Sequence, residues 1–312
     1  MRAMFLHNPN AGPDHHSKGS LMTSLRLAGL SVGYRSTRKG FDLGRLLERQ
    51  PDLLVVAGGD GTVSKAIKQL PDRRIPIAIL PLGSANNIAR SLGISGQPHE
   101  LAESWHIERW RPFSIGRARG PWGERRFVEA VGVGPIAALM GKKVGAELTG
   151  ARNIRKGRLT LQKVFRKAAP LDLDIRVDGR RLRGDMIAFE VLNVAYTGPS
   201  LRLAASADPG DGNLEVVTIP TLARAEMIEW LDAPQRTPPP TEVMRGRQVT
   251  IVGDLPVHRV DDEAMTPVDG ATIEVALERE PAVILAPLVL DAACSPLIHQ
   301  PAVLRRGMRH GG

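Results

Sequence analysis

LLVVAGGDGTVSKAIKQL, residues 53–70, is an apolar run joined to a helical pattern by a glycine-rich loop. The apolar run Leu53 to Ala57 predicts a buried strand, and a helix is predicted from Val63 to Leu70. Glycines let a backbone approach a ligand closely, and the first turn of a helix offers free N–H groups and a positive dipole end. The stretch therefore predicts a strand–loop–helix unit that holds an anionic group such as a phosphate.

The same alternation extends through the first third of the chain. Apolar runs predict strands over 3–7, 31–36, 53–57 and 75–80, and helical patterns lie over 21–30, 43–49, 63–70 and 85–92. Strands that alternate with helices indicate an α/β domain with a parallel sheet, over about residues 1–110. Ligands bind such sheets beyond the carboxyl ends of the strands. Three loops fall there: HNPNAG (7–12), AGGDGT (57–62) and PLGSANN (81–87).

The pattern changes near Trp110. PFSIGRARG, RRFVEAVGVG, LDLDIRVDGRRLRG, MIAFEVLNVAY, NLEVVTI, RQVTIVG and ATIEVAL have the composition of strands, and Asp178-Gly179 is a strong hairpin signal. We therefore expect a β-rich, antiparallel domain over about 111–280. A helical, basic stretch is predicted over 137–164.

Composition narrows the possible partners. The 312 residues carry a net charge of +9, a single cysteine and 4% aromatic residues. One cysteine excludes an intramolecular disulfide, and no secretory or membrane-spanning segment is evident, so we expect a cytoplasmic protein. The charge fits a phosphorylated substrate or peripheral contact with the inner face of an anionic membrane, through Lys142 to Arg158. Few aromatic residues and no recognition motif argue against nucleic acid.

The loops supply the candidate site residues. Gly58, Gly59, Gly61 and Thr62 are predicted to face phosphates, as are Gly83 and Ser84, and Asn86 can bridge backbone and ligand. Asn8 ends the neighbouring strand and is expected in the same crevice. Asp60 is an acid where phosphates are expected. Its carboxylate therefore serves a metal ion, a sugar hydroxyl or the attacking hydroxyl.

The ordered set NPNAG, AGGDGT and PLGSANNIARSLG resembles the diacylglycerol kinase catalytic domain family, which includes bacterial lipid kinases, sphingosine kinases and ceramide kinases. Two later segments, ADPGDGNLEV (207–216) and VDDE (260–263), also resemble family motifs. The likeness runs from residue 1 to about 287. It implies a two-domain ATP-dependent lipid kinase that transfers the γ-phosphate of ATP to a lipid hydroxyl, on diacylglycerol or a sphingoid-like acceptor. It also implies that the β-rich domain binds the lipid substrate and that the segment 281–312 returns to the first domain.

The resemblance also implies roles for particular residues. Asn8 and Thr37 would contact the nucleotide, and the two glycine loops would hold its phosphates. Glu263 would lie beside the transferred phosphate and share catalysis with Asp60, and Asp211 would bind Mg²⁺. Phosphoryl transfer fits these residue types, because it depends on positioning and charge neutralisation.

Two departures from the family pattern leave alternatives open. Asn87 stands where many members have Asp, and Asp262 stands where the Asp-Gly-Glu motif has glycine. One alternative is an NAD-kinase-like small-molecule kinase, which shares GGDGT. The other is a non-catalytic nucleotide- or lipid-binding protein with a decayed site.

Overall fold

The structure, a computed structural model, describes residues 1–12, 16–38, 40–48, 50–105, 110–140 and 150–286. Its strands are β1 (Arg2–His7), β2 (Ser31–Ser36), β3 (Leu53–Gly58), β4 (Ile77–Pro81), β5 (Trp110–Phe113), β6 (Gly116–Gly120), β7 (Gly123–Phe127), β8 (Ala130–Val133), β9 (Leu173–Val177), β10 (Arg180–Arg181), β11 (Met186–Leu192), β12 (Tyr196–Thr197), β13 (Leu201–Arg202), β14 (Leu214–Pro220), β15 (Glu242–Gly246), β16 (Gln248–Leu255), β17 (His258–Val260), β18 (Glu263–Met265), β19 (Val268–Leu277) and β20 (Ala282–Leu285). Its helices are α1 (Lys18–Leu27), α2 (Leu43–Leu46), α3 (Asp60–Gln69), α4 (Asn87–Ser91), α5 (Pro98–Ser104), α6 (Pro135–Met140), α7 (Gly150–Lys167) and α8 (Arg224–Trp230), with a 3₁₀ turn at Thr221–Ala223.

The first sheet has the strand order β2-β1-β3-β4-β20-β5 and is parallel except for β5. Strand β3 is buried along its whole length, because helices cover both faces of a parallel sheet. The predicted α/β class is confirmed. Strand β20 lies between β4 and β5, so the chain returns to this sheet after it has built the second domain. Residues 287–312, the rest of the predicted returning segment, lie outside the described residues.

The stretch PFSIGRARG does not form one strand. It divides into β5, at the edge of the first sheet, and β6, in a different sheet. An edge position suits β5, since Pro112 has no N–H to donate to a neighbouring strand. Phe113 and Ile115 are both fully buried, so the chain crosses between the domains through apolar surroundings. Apolar patterning alone therefore hides the change of sheet.

The second domain is an antiparallel β-sandwich. Its two six-stranded sheets have the orders β10-β9-β16-β19-β6-β7 and β15-β14-β11-β8-β17-β18. Both contribute to one apolar core, with Phe127 and Ile251 from the first of these and Val131 and Phe189 from the second. The predicted hairpin turn is present between β9 and β10, where Asp178 and Gly179 both have positive φ, at 48° and 79°. Such a pair of angles matches the right-handed twist of the flanking strands.

Helix α7 is strongly amphipathic. It buries Leu161 and Phe165 and exposes a row of side chains on the opposite face: Arg152, Arg155, Lys156, Leu159, Lys163, Arg166 and Lys167. The predicted basic stretch is thus described from residue 150 onward, whereas Lys142 and Lys143 lie outside the described residues. Within the described ranges, no helix combines the length and apolar character needed to cross a bilayer.

Asp261 ties the two domains together. Its side chain is 3% exposed, and its carboxylate accepts hydrogen bonds from the backbone N–H groups of residues 128–130, at 2.8 to 3.3 Å. On its other side it accepts from the Ser64 hydroxyl at 3.0 Å and the Lys68 ammonium at 2.9 Å, both on α3. A buried charge is tolerated only with such partners. One carboxylate therefore joins α3 of the first domain to the start of β8 in the second.

Asp261→Asn should lower the free energy of unfolding by about 3 kcal/mol, because an amide nitrogen would then face backbone donors and Lys68 would lose its partner. Denaturant unfolding of the two proteins measures this difference. Asp269→Asn, at an exposed position on β19, is the matched control and should change stability by less than about 0.5 kcal/mol. Equal effects of the two substitutions would contradict the assigned role of Asp261.

Candidate active site

Three polar loops meet at one edge of the first sheet. They follow β1, β3 and β4, which are parallel neighbours, so their carboxyl ends lie side by side. Backbone hydrogen bonds continue the pairing into the loops, from Asn8 N–H to the Ala57 carbonyl at 2.8 Å and from Leu82 N–H to the Gly58 carbonyl at 3.0 Å. The structure thus brings together the loops in which most of the predicted site residues lie.

The glycines of the loops allow the close packing of one loop on another. A Cβ atom on Gly59 would lie 3.1 Å from the Cα of Gly83, and one on Gly58 would lie 2.7 Å from the Cβ of Thr62. Cβ contacts this short are rare, so a side chain at Gly59 would push the two loops apart, and a side chain at Gly58 would displace Thr62 within its own loop. Gly61 differs, since its Cβ would meet the Asp262 carboxylate at an ordinary 3.5 Å.

Asn8 and Thr62 connect the first loop to the second. The Asn8 amide donates to the Thr62 hydroxyl at 3.1 Å and accepts from Asn10 N–H at 3.1 Å. Thr37 lies beside them at the end of β2, where its N–H donates to the His7 carbonyl at 2.9 Å. Asn8 and Thr37 are therefore neighbours, as a shared ligand would require.

The third loop is closed by its own asparagine. Asn86 has a left-handed backbone, with φ of 50°, and its amide accepts from Gly83 N–H at 2.9 Å and donates to the Gly83 carbonyl at 2.7 Å. The Ser84 hydroxyl accepts from the Gly150 N–H, at the first residue of α7, at 3.0 Å. Asn86 thus shapes the loop, and Ser84 lies where the two domains meet.

Asp60 begins α3 and faces the start of α4. Its carboxylate accepts from Ile88 N–H at 3.0 Å. Burial raises the pKa of Asp60, and hydrogen bonds from the backbone around residues 86–88 oppose that rise. A carboxyl group with a raised pKa is a stronger base than a solvated one, which suits a role in proton transfer.

Glu129 was missed by the sequence reasoning. It lies between β7 and β8 in the second domain, and its carboxylate accepts from the Thr197 hydroxyl at 2.7 Å and from the Asn87 amide at 3.3 Å. Burial raises the pKa of Glu129 to about 7, Arg259 opposes the rise, and Asp60 and Asp261 add to it. The only signal in the sequence is a lone acid inside the apolar run FVEAV, residues 127–131.

Arg259 neutralises this buried region. It is fully buried and donates to Glu190 at 2.7 Å, to the Thr197 hydroxyl at 2.5 Å and to the Asp261 carbonyl at 2.7 Å. Its distance to Glu129 is 3.5 Å, so Glu190 is the better-neutralised acid of the two. Without Arg259 both acids would be buried charges without a counter-ion.

The structure places Glu263 differently from the other predicted site residues. Its side chain is 57% exposed at the start of β18 and forms an ion pair with Arg125. The residue before it, Asp262, is the one whose carboxylate faces the glycine loop at Gly61. A catalytic role for Glu263 stays a prediction, and it requires the carboxylate to exchange Arg125 for the reacting groups.

The surroundings of Asp211 do not fit a Mg²⁺ ion. One carboxylate oxygen accepts from Asn213 N–H at 2.8 Å, and the other pairs with Arg245 at 2.8 Å. Mg²⁺ prefers oxygen ligands without a competing cation. Within the described residues, no group of three His, Cys, Asp or Glu side chains is arranged to hold a metal. We therefore assign no step to an ion at Asp211, and its metal role stays a prediction.

A basic cavity of about 1020 Å³ opens beside the ends of β1 and β2. Four cationic residues line it, Lys18, Arg35, Arg38 and Arg45, together with Asp42. Ser36 and Arg38, the chain neighbours of Thr37, are part of its wall. Its volume and its charge suit an anionic ligand of nucleotide size.

These features define a class of protein: a two-domain α/β protein whose glycine loops lie against a β-sandwich, with buried acids where the two domains meet. Residues 2–118 match the profile of the diacylglycerol kinase catalytic domain, and residues 145–284 match that of the YegS C-terminal NAD kinase beta sandwich-like domain. Residues 2–118 therefore form a diacylglycerol kinase catalytic domain, and the chain as a whole is similar to proteins of that family.

Similar proteins carry related names. The chain is 26% identical over 239 residues to a diacylglycerol kinase of Bacillus subtilis, covering 73% of this chain and 76% of that protein. It is 27% identical over 228 residues to a probable lipid kinase YegS-like of Pseudomonas aeruginosa, covering 70% and 72%. A solved structure of a putative diacylglycerol kinase from Bacillus anthracis has the same fold, with a TM-score of 0.69, 18% identity and coverage of 92% and 95%.

Glu129→Gln should reduce the pH dependence of stability. With its pKa raised from 4.5 to about 7, Glu129 holds its proton more tightly in the folded than in the unfolded protein. The contribution of Glu129 to the free energy of unfolding is therefore fully present below pH 4.5. It is lost as the pH rises to about 7, which lowers the stability by about 3 kcal/mol. Glutamine does not titrate, so the variant should lack this decrease.

Denaturant unfolding gives the free energy of unfolding of wild type and variant at about pH 5 and about pH 8. The change between the two pH values is then compared between the two proteins. Titrating groups remote from Glu129 change equally in both proteins and cancel, so the difference reports Glu129 together with the acids that interact with it, Asp60 and Asp261. The same loss of stability between the two pH values in wild type and variant would show that Glu129 titrates normally.

Proposed function

We propose that this protein is an ATP-dependent lipid kinase, which transfers the γ-phosphate of ATP to the hydroxyl group of a lipid such as diacylglycerol or a sphingoid-like acceptor. The observation that carries the proposal is the packing of the Gly58–Thr62 loop on the Gly83–Asn86 loop, with the Asp60 carboxylate between them and α4. The names of the similar kinases support the same reaction class.

The nucleotide would lie between the basic cavity and the glycine loops. Asn8 and Thr37 are neighbours at the edge of that cavity, and its cations would offset the charge of the phosphates. The first turn of α3, which begins at Asp60, adds N–H groups that point toward the loop. Asp262, which faces Gly61, adds a negative charge here and would weaken nucleotide binding.

The transfer step needs an activated hydroxyl. The acceptor oxygen bonds to the γ-phosphorus while the bond from that phosphorus to the β–γ bridging oxygen breaks, and ADP leaves. The hydroxyl proton must go to a base, and the partly buried carboxylate of Asp60 would accept it. Mg²⁺ bound to a nucleotide neutralises phosphate charge, and no residue of this chain is assigned to it.

The acceptor is proposed to be a lipid because the second domain has an apolar cavity of about 780 Å³. It lies between α6, α7 and the sandwich, and its apolar lining includes Ala138, Val164 and Leu255. Charged residues of both signs also line it: Lys163, Lys167, Asp172, Asp254 and Asp269. The apolar part of this surface suits an acyl chain with a polar head nearby. An NAD-kinase-like small-molecule acceptor and a binding role without catalysis remain the alternatives for experiment.

A phosphate-transfer assay with labelled ATP and a lipid extract tests the proposal, and NAD in place of the extract tests the small-molecule alternative. Asp60→Asn should lower kcat by about 10²- to 10⁴-fold, since the hydroxyl loses its base, and should leave ATP affinity similar. Glu263→Gln tests the role that the family resemblance implies, and an unchanged kcat would remove Glu263 from the site. Near-native turnover by Asp60→Asn would refute the proposed mechanism.

Gly61→Val separates binding from chemistry. A side chain at this position has room in the protein, since its Cβ meets Asp262 at an ordinary distance, but it would occupy space over the glycine loop. Calorimetric titration should show lost ATP affinity with an unchanged melting temperature. Gly61→Ala, with a smaller side chain, is the graded control and should lose less affinity.

The cationic face of α7 is proposed to contact an anionic membrane surface, from which the lipid is taken. Binding to vesicles that contain phosphatidylglycerol should be released by about 0.5 M salt, because screening shortens the reach of surface charges. Arg155→Glu with Lys156→Glu should weaken binding, whereas Arg180→Glu with Arg183→Glu, an equal charge change on the exposed hairpin, should not. Binding that ignores salt would contradict this contact.

A further inference from the structure

Glu129 has no role in the function proposed above, yet it lies among the residues of the site. It comes from the second domain, is buried, and accepts hydrogen bonds from Thr197, Gly198 and Asn87. Asn87 is the first residue of α4, whose next residue, Ile88, donates to Asp60. Glu129 and Asp60 therefore approach the start of α4 from different domains.

The amide of Asn87 has a defined orientation. Its nitrogen donates to Glu129 at 3.3 Å and to the Gly198 carbonyl at 3.0 Å. A carbonyl oxygen only accepts, so the nitrogen and not the oxygen must face Gly198. The Asn87 Oδ1 is left buried without a hydrogen-bond partner among the described residues, and Asn87 itself is 3% exposed. The orientation of the Asn87 amide is therefore set by Glu129 and the Gly198 carbonyl, and not by a partner of its oxygen.

We propose that Glu129 is a positioning residue of the transfer site, which fixes the orientation of the Asn87 amide at the start of α4 and places a negative charge beside Asp60. The inference rests on the proposed kinase function, because it gives Glu129 a part in that reaction. It extends the proposed function, because Glu129, a carboxylate of the second domain, would then act on Asp60, the proposed base in the first domain.

The charges around Glu129 support this role. Arg259 faces it from β17, Asp60 from α3, and Asp261 from the turn after β17. Arg259 lies 2.7 Å from Glu190 but 3.5 Å from Glu129, so the charge of Glu129 is only partly neutralised. A nearby negative charge makes a carboxylate bind its proton more tightly, which makes Asp60 a better base for the hydroxyl.

Glu190 provides a control inside the same network. It is a buried glutamate that pairs with Arg259, as Glu129 does, but its hydrogen bonds in the described structure lead to Arg259 and not to Asn87. If Glu129 only stabilises Arg259, the two glutamates should be equivalent in function. If Glu129 positions Asn87 and Asp60, only its loss should affect turnover.

Steady-state kinetics with the lipid acceptor compares Glu129→Gln with Glu190→Gln at equal amounts of folded protein. Glu129→Gln should lower kcat by about 10- to 100-fold and leave the KM for ATP within about threefold, whereas Glu190→Gln should keep kcat within about threefold. A kcat for Glu129→Gln near that of wild type, or equal losses in the two variants, would overturn the proposal.

Exchange of the amide and the carboxylate between positions 87 and 129 tests whether the charge, rather than the packing, of this pair is needed. In the double variant Asn87→Asp with Glu129→Gln, an amide still donates to a carboxylate, but the charge has moved across the hydrogen bond. It should recover about tenfold in kcat over Glu129→Gln alone, and less than full activity because Gly198 loses its donor. No recovery would mean that packing rather than charge matters, which overturns the proposal.

A measurement that needs no enzymatic activity tests the contact between Glu129 and Asp60 independently of the proposed kinase function. Carbon-13 NMR of labelled carboxyl groups, assigned with Glu129→Gln, gives the pKa of Glu129 in wild type and in Asp60→Asn. Removal of the Asp60 charge should lower the pKa of Glu129 by about 0.5 or more. If no lipid is phosphorylated, the kinase function fails, but this shift still supports the contact between the two acids. An unchanged pKa overturns the inference whether or not the protein is a kinase.

Discussion

A carboxylate removed from water must be surrounded by donors, and in this protein Asp261 takes its donors from both domains. Its hydrogen bonds join Ser64 and Lys68 of α3 to the backbone at the start of β8. Helix α3 begins in the glycine loop, and β8 begins beside Glu129. Together with the contacts of Asn87 and Ser84 across the same boundary, Asp261 fixes the position of the glycine loop relative to the buried acids of the sandwich. The meeting of the two domains is a product of these polar contacts as much as of the packing of apolar side chains.

Much of the first domain could be predicted from the sequence, because its signals are local. The periodicity of residues 31–36 gives β2 its observed bounds, and glycines mark the loops that meet at the sheet edge. The partners of buried acids could not be predicted, since they are remote in the chain: Asp261 bonds to residues 128–130, and Glu129 to Asn87. The same limit applies to the neighbours Asp262 and Glu263, because the sequence does not show which of the two side chains faces the glycine loop. Only the course of the backbone around Asp261, with its positive φ of 53°, determines that Asp262 faces the loop.

The neutral residue at position 87 has a physical partner in the acid at position 129. An aspartate at 87 would place two carboxylates within about 3 Å in a buried setting, where like charges repel strongly. An amide avoids this repulsion and gives Glu129 a donor. Asn87 therefore belongs to a rearranged set of charges, in which the acid comes from the sandwich rather than from α4. Its presence is not by itself a sign of a decayed site.

The return of the chain to the first sheet has a consequence for biosynthesis. Strand β20 pairs with β4 on one side and with β5 on the other, and it is formed by residues 282–285. As the ribosome delivers the chain from its amino end, β4 leaves the tunnel with an unpaired edge and waits for the whole sandwich to be made. An exposed edge of buried-type strands is a template for aggregation. The nascent first domain thus depends on rapid completion of the chain, or on a chaperone that covers β4 in the meantime.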